Sequence, residues 1–143
     1  MATTFIWATV ASHSDLLAKR SMVVRRFGIP FVVSIDTGAG LYAHVAICPH
    51  AWVRMPGMKL RAGCLACPLH GATFEQANGA VRDSRGKRIR RGLQPVPIEL
   101  RDGDVRLAIG LDCLAFVMAS NVRRLLREAA HLRKKLLAKR EGS

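Results

Sequence analysis

Short runs of apolar residues, broken by turn residues, fill the first 110 positions of this chain. Phe5–Val10 is apolar and partly β-branched, which predicts a first strand. Ser12, Ser14 and Asp15 interrupt it, and Asp15 is the expected cap of a helical turn over Leu16–Arg20. Met22–Phe27 and Phe31–Ile35 predict two strands around a Gly28-Ile29-Pro30 turn. Asp36–Gly40 is a second tight turn, and Leu41–Ile47 a further strand. Residues 48–58 are expected as a loop, and Lys59–Ala66 as a short hairpin turning near Arg61-Ala62-Gly63. Thr73–Glu75 predicts a brief strand, followed by an Asn78-Gly79 turn. Residues 82–91 are a basic loop. Val96–Leu100 and Val105–Ile109 flank Arg101-Asp102-Gly103-Asp104 as a last hairpin.

From Leu111 the period changes. Val122, Leu125, Leu126, Ala129, Leu132 and Leu136 recur at helical spacing, while Arg123, Arg124, Arg127, His131, Lys134 and Lys135 fall largely elsewhere on the wheel. The pattern predicts a mainly β domain of antiparallel strands over residues 1–110. A basic, amphipathic C-terminal helical extension follows over 111–143, with Leu111–Ala119 as an apolar joint. The chain holds no internal repeat.

At 143 residues, half of them hydrophobic, the chain is long enough for one domain with its own core. The net charge of +13 is its unusual property, and residues 122–143 carry +6 of it. Such a surface favours acidic proteins, anionic lipid or nucleic acid. Residues 1–12 lack a charged n-region and a long apolar core, so no signal peptide is expected. The longest apolar run, Cys113–Ala119, is far short of the ~20 residues a spanning helix needs. The expected location is cytoplasmic: four cysteines, two of them in a candidate metal motif, fit a reducing compartment with a metal better than a disulfide scaffold.

The candidate chemistry sits in two short stretches. Cys48-Pro49-His50 is followed, after sixteen residues, by Cys67-Pro68-Leu69-His70. Two thiols and two imidazoles, paired on two loops, form a four-donor metal site. Thiolates suit zinc or iron–sulfur clusters, and imidazole suits zinc or iron. Cys64-x-x-Cys67 with His70 and one upstream ligand is a possible tetrahedral zinc set. The mixed pairing points instead to a [2Fe–2S] cluster in which Cys48 and Cys67 hold one iron and His50 and His70 the other. Two ferric ions, two sulfides and two thiolates sum to zero charge. An all-cysteine cluster is two units more negative and takes up an electron less readily. Pro49 and Pro68 stiffen the loops by fixing φ, and Gly71 permits backbone conformations other residues resist.

Cys48-Pro49-His50 with Cys67-Pro68-Leu69-His70-Gly71 resembles the Rieske-type [2Fe–2S] domain, over roughly residues 5–110. Ala51 and the Gly71-Ala72-Thr73-Phe74 run are similar to the soluble bacterial Rieske ferredoxins that serve ring-hydroxylating dioxygenases. The resemblance implies an antiparallel β-sandwich carrying a cluster-binding subdomain, and one [2Fe–2S] cluster per chain. It implies one-electron transfer from a flavin-dependent reductase to a terminal oxygenase, with no catalysis by this chain itself. Its length leaves no room for the mononuclear-iron domain of a complete terminal oxygenase. An alternative within the same resemblance is the small subunit of an NADH-dependent nitrite reductase. An alternative from another class is a basic binding module with a structural metal.

Rieske proteins of respiratory complexes carry an extra cysteine in each loop and a serine two residues past the second histidine. The matching positions here are Val53, Leu69 and Ala72, which implies no loop-to-loop disulfide and a potential toward the low end of the Rieske range. The chain departs from the family at Trp52, where a small residue is usual, and at Gly57-Met58, where the loop glycine comes one position early.

The remaining cysteines and histidines suit ordinary structural roles. Cys64 is expected as a buried strand cysteine and Cys113 as part of the apolar joint; His13, His44 and His131 are ordinary surface or strand histidines. Trp52 is expected to pack its loop. The loop 82–91 offers a docking patch for an acidic redox partner; without interleaved aromatics it does not suit nucleic acid. The 122–140 helix has three candidate roles: packing on the domain, binding a partner or second copy, and lying on an anionic membrane surface.

Overall fold

The computed structural model describes residues 4–142. Two three-stranded antiparallel sheets form the body. One orders β1 (Phe5–Ser12), β12 (Asp104–Gly110) and β11 (Ile98–Arg101). The other orders β2 (Ser21–Arg26), β3 (Ile29–Ile35) and β4 (Leu41–Val45). β1 lies against β2, and β11 against β4. Between the sheets Phe31, Val33, Ile35, Val45, Val105, Leu107 and Ile109 form the main core. This is the expected mainly β, antiparallel architecture.

β3 is buried along its whole length, because it serves two cores. Side chains alternate across a strand. Phe31, Val33 and Ile35 enter the main core, and Val32 enters a second one with Met55, Met58, Leu65, Cys67, Ala72 and Phe74. The second core belongs to a subdomain of two small sheets. β5 (Ile47–Cys48) pairs with β6 (Val53–Arg54). β10 (Val81–Asp83), β9 (Thr73–Glu75), β8 (Cys64–Ala66) and β7 (Lys59–Arg61) form a four-stranded sheet in that order. Gln76 donates from Nε2 to the buried Ser34 Oγ of β3 at 3.0 Å, joining the two parts.

Local details differ from expectation at five places. Helix α1 (His13–Lys19) is capped by Ser12, whose Oγ accepts from the Asp15 amide at 3.1 Å. Asp15 stands three residues after the cap, in the first turn, where its charge favours the helix dipole. The turn between β2 and β3 is Phe27-Gly28, both at positive φ, and Pro30 lies within β3. The 48–58 loop contains the short strand β6, and the basic loop begins with the short strand β10. Finally, Leu111–Ala119 is no separate joint: Leu111–Glu141 is one helix, α2, of 31 residues. Its first turns bury Cys113, Phe116, Val117 and Ser120, and the first three of these join the main core.

Candidate metal centre

The two ligand loops share one construction. The Cys48 carbonyl accepts from the Trp52 amide at 2.7 Å, and the Cys67 carbonyl accepts from the Gly71 amide at 2.9 Å. In each loop the residue four positions past the cysteine turns the chain with a left-handed φ, +57° at Trp52 and +75° at Gly71. Glycine adopts this conformation freely; a bulky side chain resists it. The Cys67 amide also donates to the Ala72 carbonyl at 2.8 Å, which returns the second loop into β9.

The expected ligands meet in two pairs; among the described residues no group of three histidine, cysteine or acidic side chains is gathered closely enough to hold a single metal ion. Cys48 and Cys67 are buried at the inner end, where their thiols hydrogen-bond to each other. His50 and His70 are half-buried at the outer end, with ring centroids 4.2 Å apart and planes at 68°. The Nδ1 atoms of both histidines are buried without a hydrogen-bond partner. A buried polar atom left unpaired is costly unless it has another role. Two unpaired imidazole nitrogens on one pair of residues and two adjacent thiols on the other are a donor set whose chemistry fits a cluster held by one pair of each kind.

The electrostatics favour ligation at Cys67 and His50. The shared hydrogen bond with Cys48 is the main force lowering the Cys67 pKa, which falls to about 5, and the amides of Leu69 and His70 and the His70 side chain add to it. The same hydrogen bond, then burial, raise Cys48. The amides of His50 and Ala51 donate toward Cys48. Thiolate is the ligating form of cysteine. Burial, followed by the His70, Arg127 and Lys87 charges, holds His50 below the ordinary imidazole range, so it stays neutral and free to coordinate.

Other singled-out residues lie elsewhere. Cys64 is buried in β8, with Arg82 Nη1 at 3.4 Å from its sulfur. Cys113 sits at the base of α2, and His44 is buried in β4 with its Nδ1 unpaired. His13 opens α1 and His131 is exposed on α2.

The surroundings of the site combine parts that the sequence shows only separately. Arg88, Arg90 and Arg91 of the basic loop and Arg123 of α2 meet over Pro49, His50 and Trp52, lining a cavity of about 530 Å³. Trp52 packs its loop as expected, but against α2. Its ring lies 6.2 Å from that of Phe116, and the Arg123 guanidinium stands 4.6 Å over it. Arg127 donates to the His50 carbonyl at 3.2 Å. α2 therefore touches the first ligand loop, a role no local pattern signals. Its apolar stripe beyond residue 121 does not pack on the domain, since Val122, Leu125, Leu126, Leu132 and Leu136 are all exposed. Among the described residues, no helix is long and apolar enough to cross a membrane.

Comparison with known proteins places this geometry. A family model described as "Rieske [2Fe-2S] domain" matches residues 6–94. A curated relative, the cholesterol 7-desaturase nvd of Hemicentrotus pulcherrimus, is 31% identical over 78 residues. The match spans 54% of this chain and only 17% of that protein's length. Among solved structures, a chain in the complex of reduced oxygenase and oxidized ferredoxin of carbazole 1,9a-dioxygenase is 27% identical, with a TM-score of 0.60 over 72% of this chain and 93% of that one. The ferredoxin of carbazole 1,9a-dioxygenase from Nocardioides aromaticivorans IC177 is 19% identical, with a TM-score of 0.59 over 72% and 97%. A chain described as a nitrite reductase NADPH small subunit is 17% identical, with a TM-score of 0.54 over 71% and 97%.

Proposed function

This chain belongs to the Rieske [2Fe–2S] domain family and carries one such cluster, and from that premise we propose that it is a cytoplasmic one-electron carrier delivering electrons from a flavin-dependent reductase to a ring-hydroxylating oxygenase. Residues 1–110 are the cluster domain and 111–143 the extension. Cys48 and Cys67 would hold one iron, and His50 and His70 the other. When bound, the cluster supplies reversible storage of a single electron.

One observation carries this reading: the thiols are buried while the paired imidazoles are half-exposed at the rim. His50 and His70 are then the short route between the buried centre and whatever docks outside. Pro49 and the second core keep the donors fixed, so little rearrangement accompanies a change of charge. Arg88, Arg90, Arg91 and Arg123 surround that rim with positive charge. They would steer an acidic partner to His50, and such steering fades with salt. The likeness to a carbazole dioxygenase complex, with coverage of 93% of that chain, supports an oxygenase as the partner.

The nitrite reductase small subunit is a second reading, supported by the fold likeness over 97% of that chain. Reconstitution separates the two. Purified protein, a flavin reductase and a ring-hydroxylating oxygenase are mixed, and turnover is followed against salt. Turnover that needs this protein and falls as salt rises supports the carrier. A stable complex with a sirohaem enzyme and no oxygenase turnover overturns it.

A further inference from the structure

Helix α2 carries two apolar faces on opposite sides, and the domain covers one of them. Cys113, Phe116, Val117 and Ser120 point into the body. On the far side Leu111, Met118 and Leu125 recur every seven residues, and Leu132, which also lines a cavity with Ala51 and Val53, continues the repeat; all four are exposed. Ala115, Val122, Ala129 and Leu136 fall four residues after each of them, also exposed. Apolar residues alternating at spacings of four and three form a coiled-coil seam. This one is unbroken over four heptads. A one-helix amphipathic membrane surface needs no such strict 3.5-residue repeat.

We infer that this seam binds α2 of a second copy of the chain, in antiparallel orientation. Antiparallel pairing brings the two alternating positions of one helix against those of the other. Leu111 then faces Leu136 of the second copy, Ala115 faces Leu132, Met118 faces Ala129, and Val122 faces Leu125. Each alanine meets a large residue, so no layer is left underfilled. Parallel pairing in register would instead stack Ala115 on itself and Ala129 on itself, leaving two gaps. Charge selects the same orientation. Residues 122–143 carry +6, and a parallel pair would place the two basic ends side by side. Antiparallel pairing moves them to opposite ends and sets Asp112 beside Arg133 and Arg140 of the second copy. The seam also continues past its own start. Leu111 and Leu114 join Phe5, Ile6 and Phe27 in an exposed apolar cavity of about 340 Å³ at the base of the helix, where the end of the second copy's α2 would arrive.

Light scattering after size exclusion tests the association on the full, cluster-loaded chain at tens of micromolar. The expected mass is twice the 15.7 kDa of one chain. A Met118→Glu/Leu125→Glu variant should run at the single mass with the cluster absorption unchanged, because both side chains are exposed, and its unfolding midpoint should no longer rise with protein concentration. Orientation is read by thiol cross-linking. Val122→Cys and Leu125→Cys chains should each link poorly alone and link strongly when mixed. A single mass for the unmodified chain overturns the pairing, whether or not the monomer floats with anionic phosphatidylserine vesicles. Stronger linking of either variant with itself than in the mixture overturns the antiparallel orientation.

Discussion

Arg127 of α2 donates from Nη1 to the carbonyl oxygen of His50 at 3.2 Å, across 77 positions of chain. The C-terminal helix is thereby anchored on the loop that presents half of the metal donors. A guanidinium at that place favours the more electron-rich state of the neighbouring centre. Arg127→Gln should lower the midpoint potential by on the order of 20 mV at low salt, as a screened surface charge would. Arg127→Lys should leave it near the parent value. A spectroelectrochemical titration of the three proteins at two salt concentrations reads both effects, and equal potentials for all three would remove Arg127 from the electrostatics of the site.

Trp52 sits in the left-handed region at the place where the second loop has Gly71. Its conformation is unfavourable by about 1 kcal/mol, and contact with Phe116 and Arg123 offsets this. Trp52→Ala should lose the contacts and keep the strain, destabilising the fold by about 2–3 kcal/mol, below the range for a fully buried tryptophan. Trp52→Gly should lose the contacts and relieve the strain. The glycine variant is therefore expected to be the more stable of the two by roughly 1 kcal/mol, the reverse of the usual ranking. Urea unfolding decides the order.

Ala72 is fully buried beside the second loop and offers no hydroxyl to the centre. With fewer donors to its sulfur atoms, the potential should lie toward the low end of the Rieske range, about −150 mV. Ala72→Ser should raise it. A clearly positive potential for the parent, or no rise in the variant, would count against this account.

His44 is buried in β4, and burial lowers its pKa from 6.5 to about 4. The unfolded chain takes up the proton between these values and the folded chain does not. Stability is therefore unaffected by this group above pH 6.5 and falls as the pH drops from there toward 4, by about 3 kcal/mol in total. His44→Leu should abolish that part of the slope. Chemical unfolding of both proteins at pH 7.0, 6.0 and 5.0 gives the difference.

The chain by itself determined what local spacing controls. Cys48 and His50, or Cys67 and His70, cannot be far apart on loops stiffened by a proline, so each donor pair was legible. Alternating apolar runs between turn residues marked most strands, because side chains alternate across a sheet. Periodicity marked α2 for the same kind of reason. Tertiary structure decided what depends on contacts distant in sequence. Val81-Arg82-Asp83 has no strand pattern and becomes β10 through pairing with β9. Both Ser12 and Asp15 are competent helix caps, and the geometry leaving β1 selects Ser12. Helical periodicity revealed apolar positions on α2 but not which of them meet the body; the core chose Phe116 and Val117 and left Leu125 and Leu132 in solvent. The arginine-lined cavity over His50 unites residues 49–52, 88–91 and 123, and no local interaction joins segments so far apart. Only the packing of α2 against the body brings them to one place.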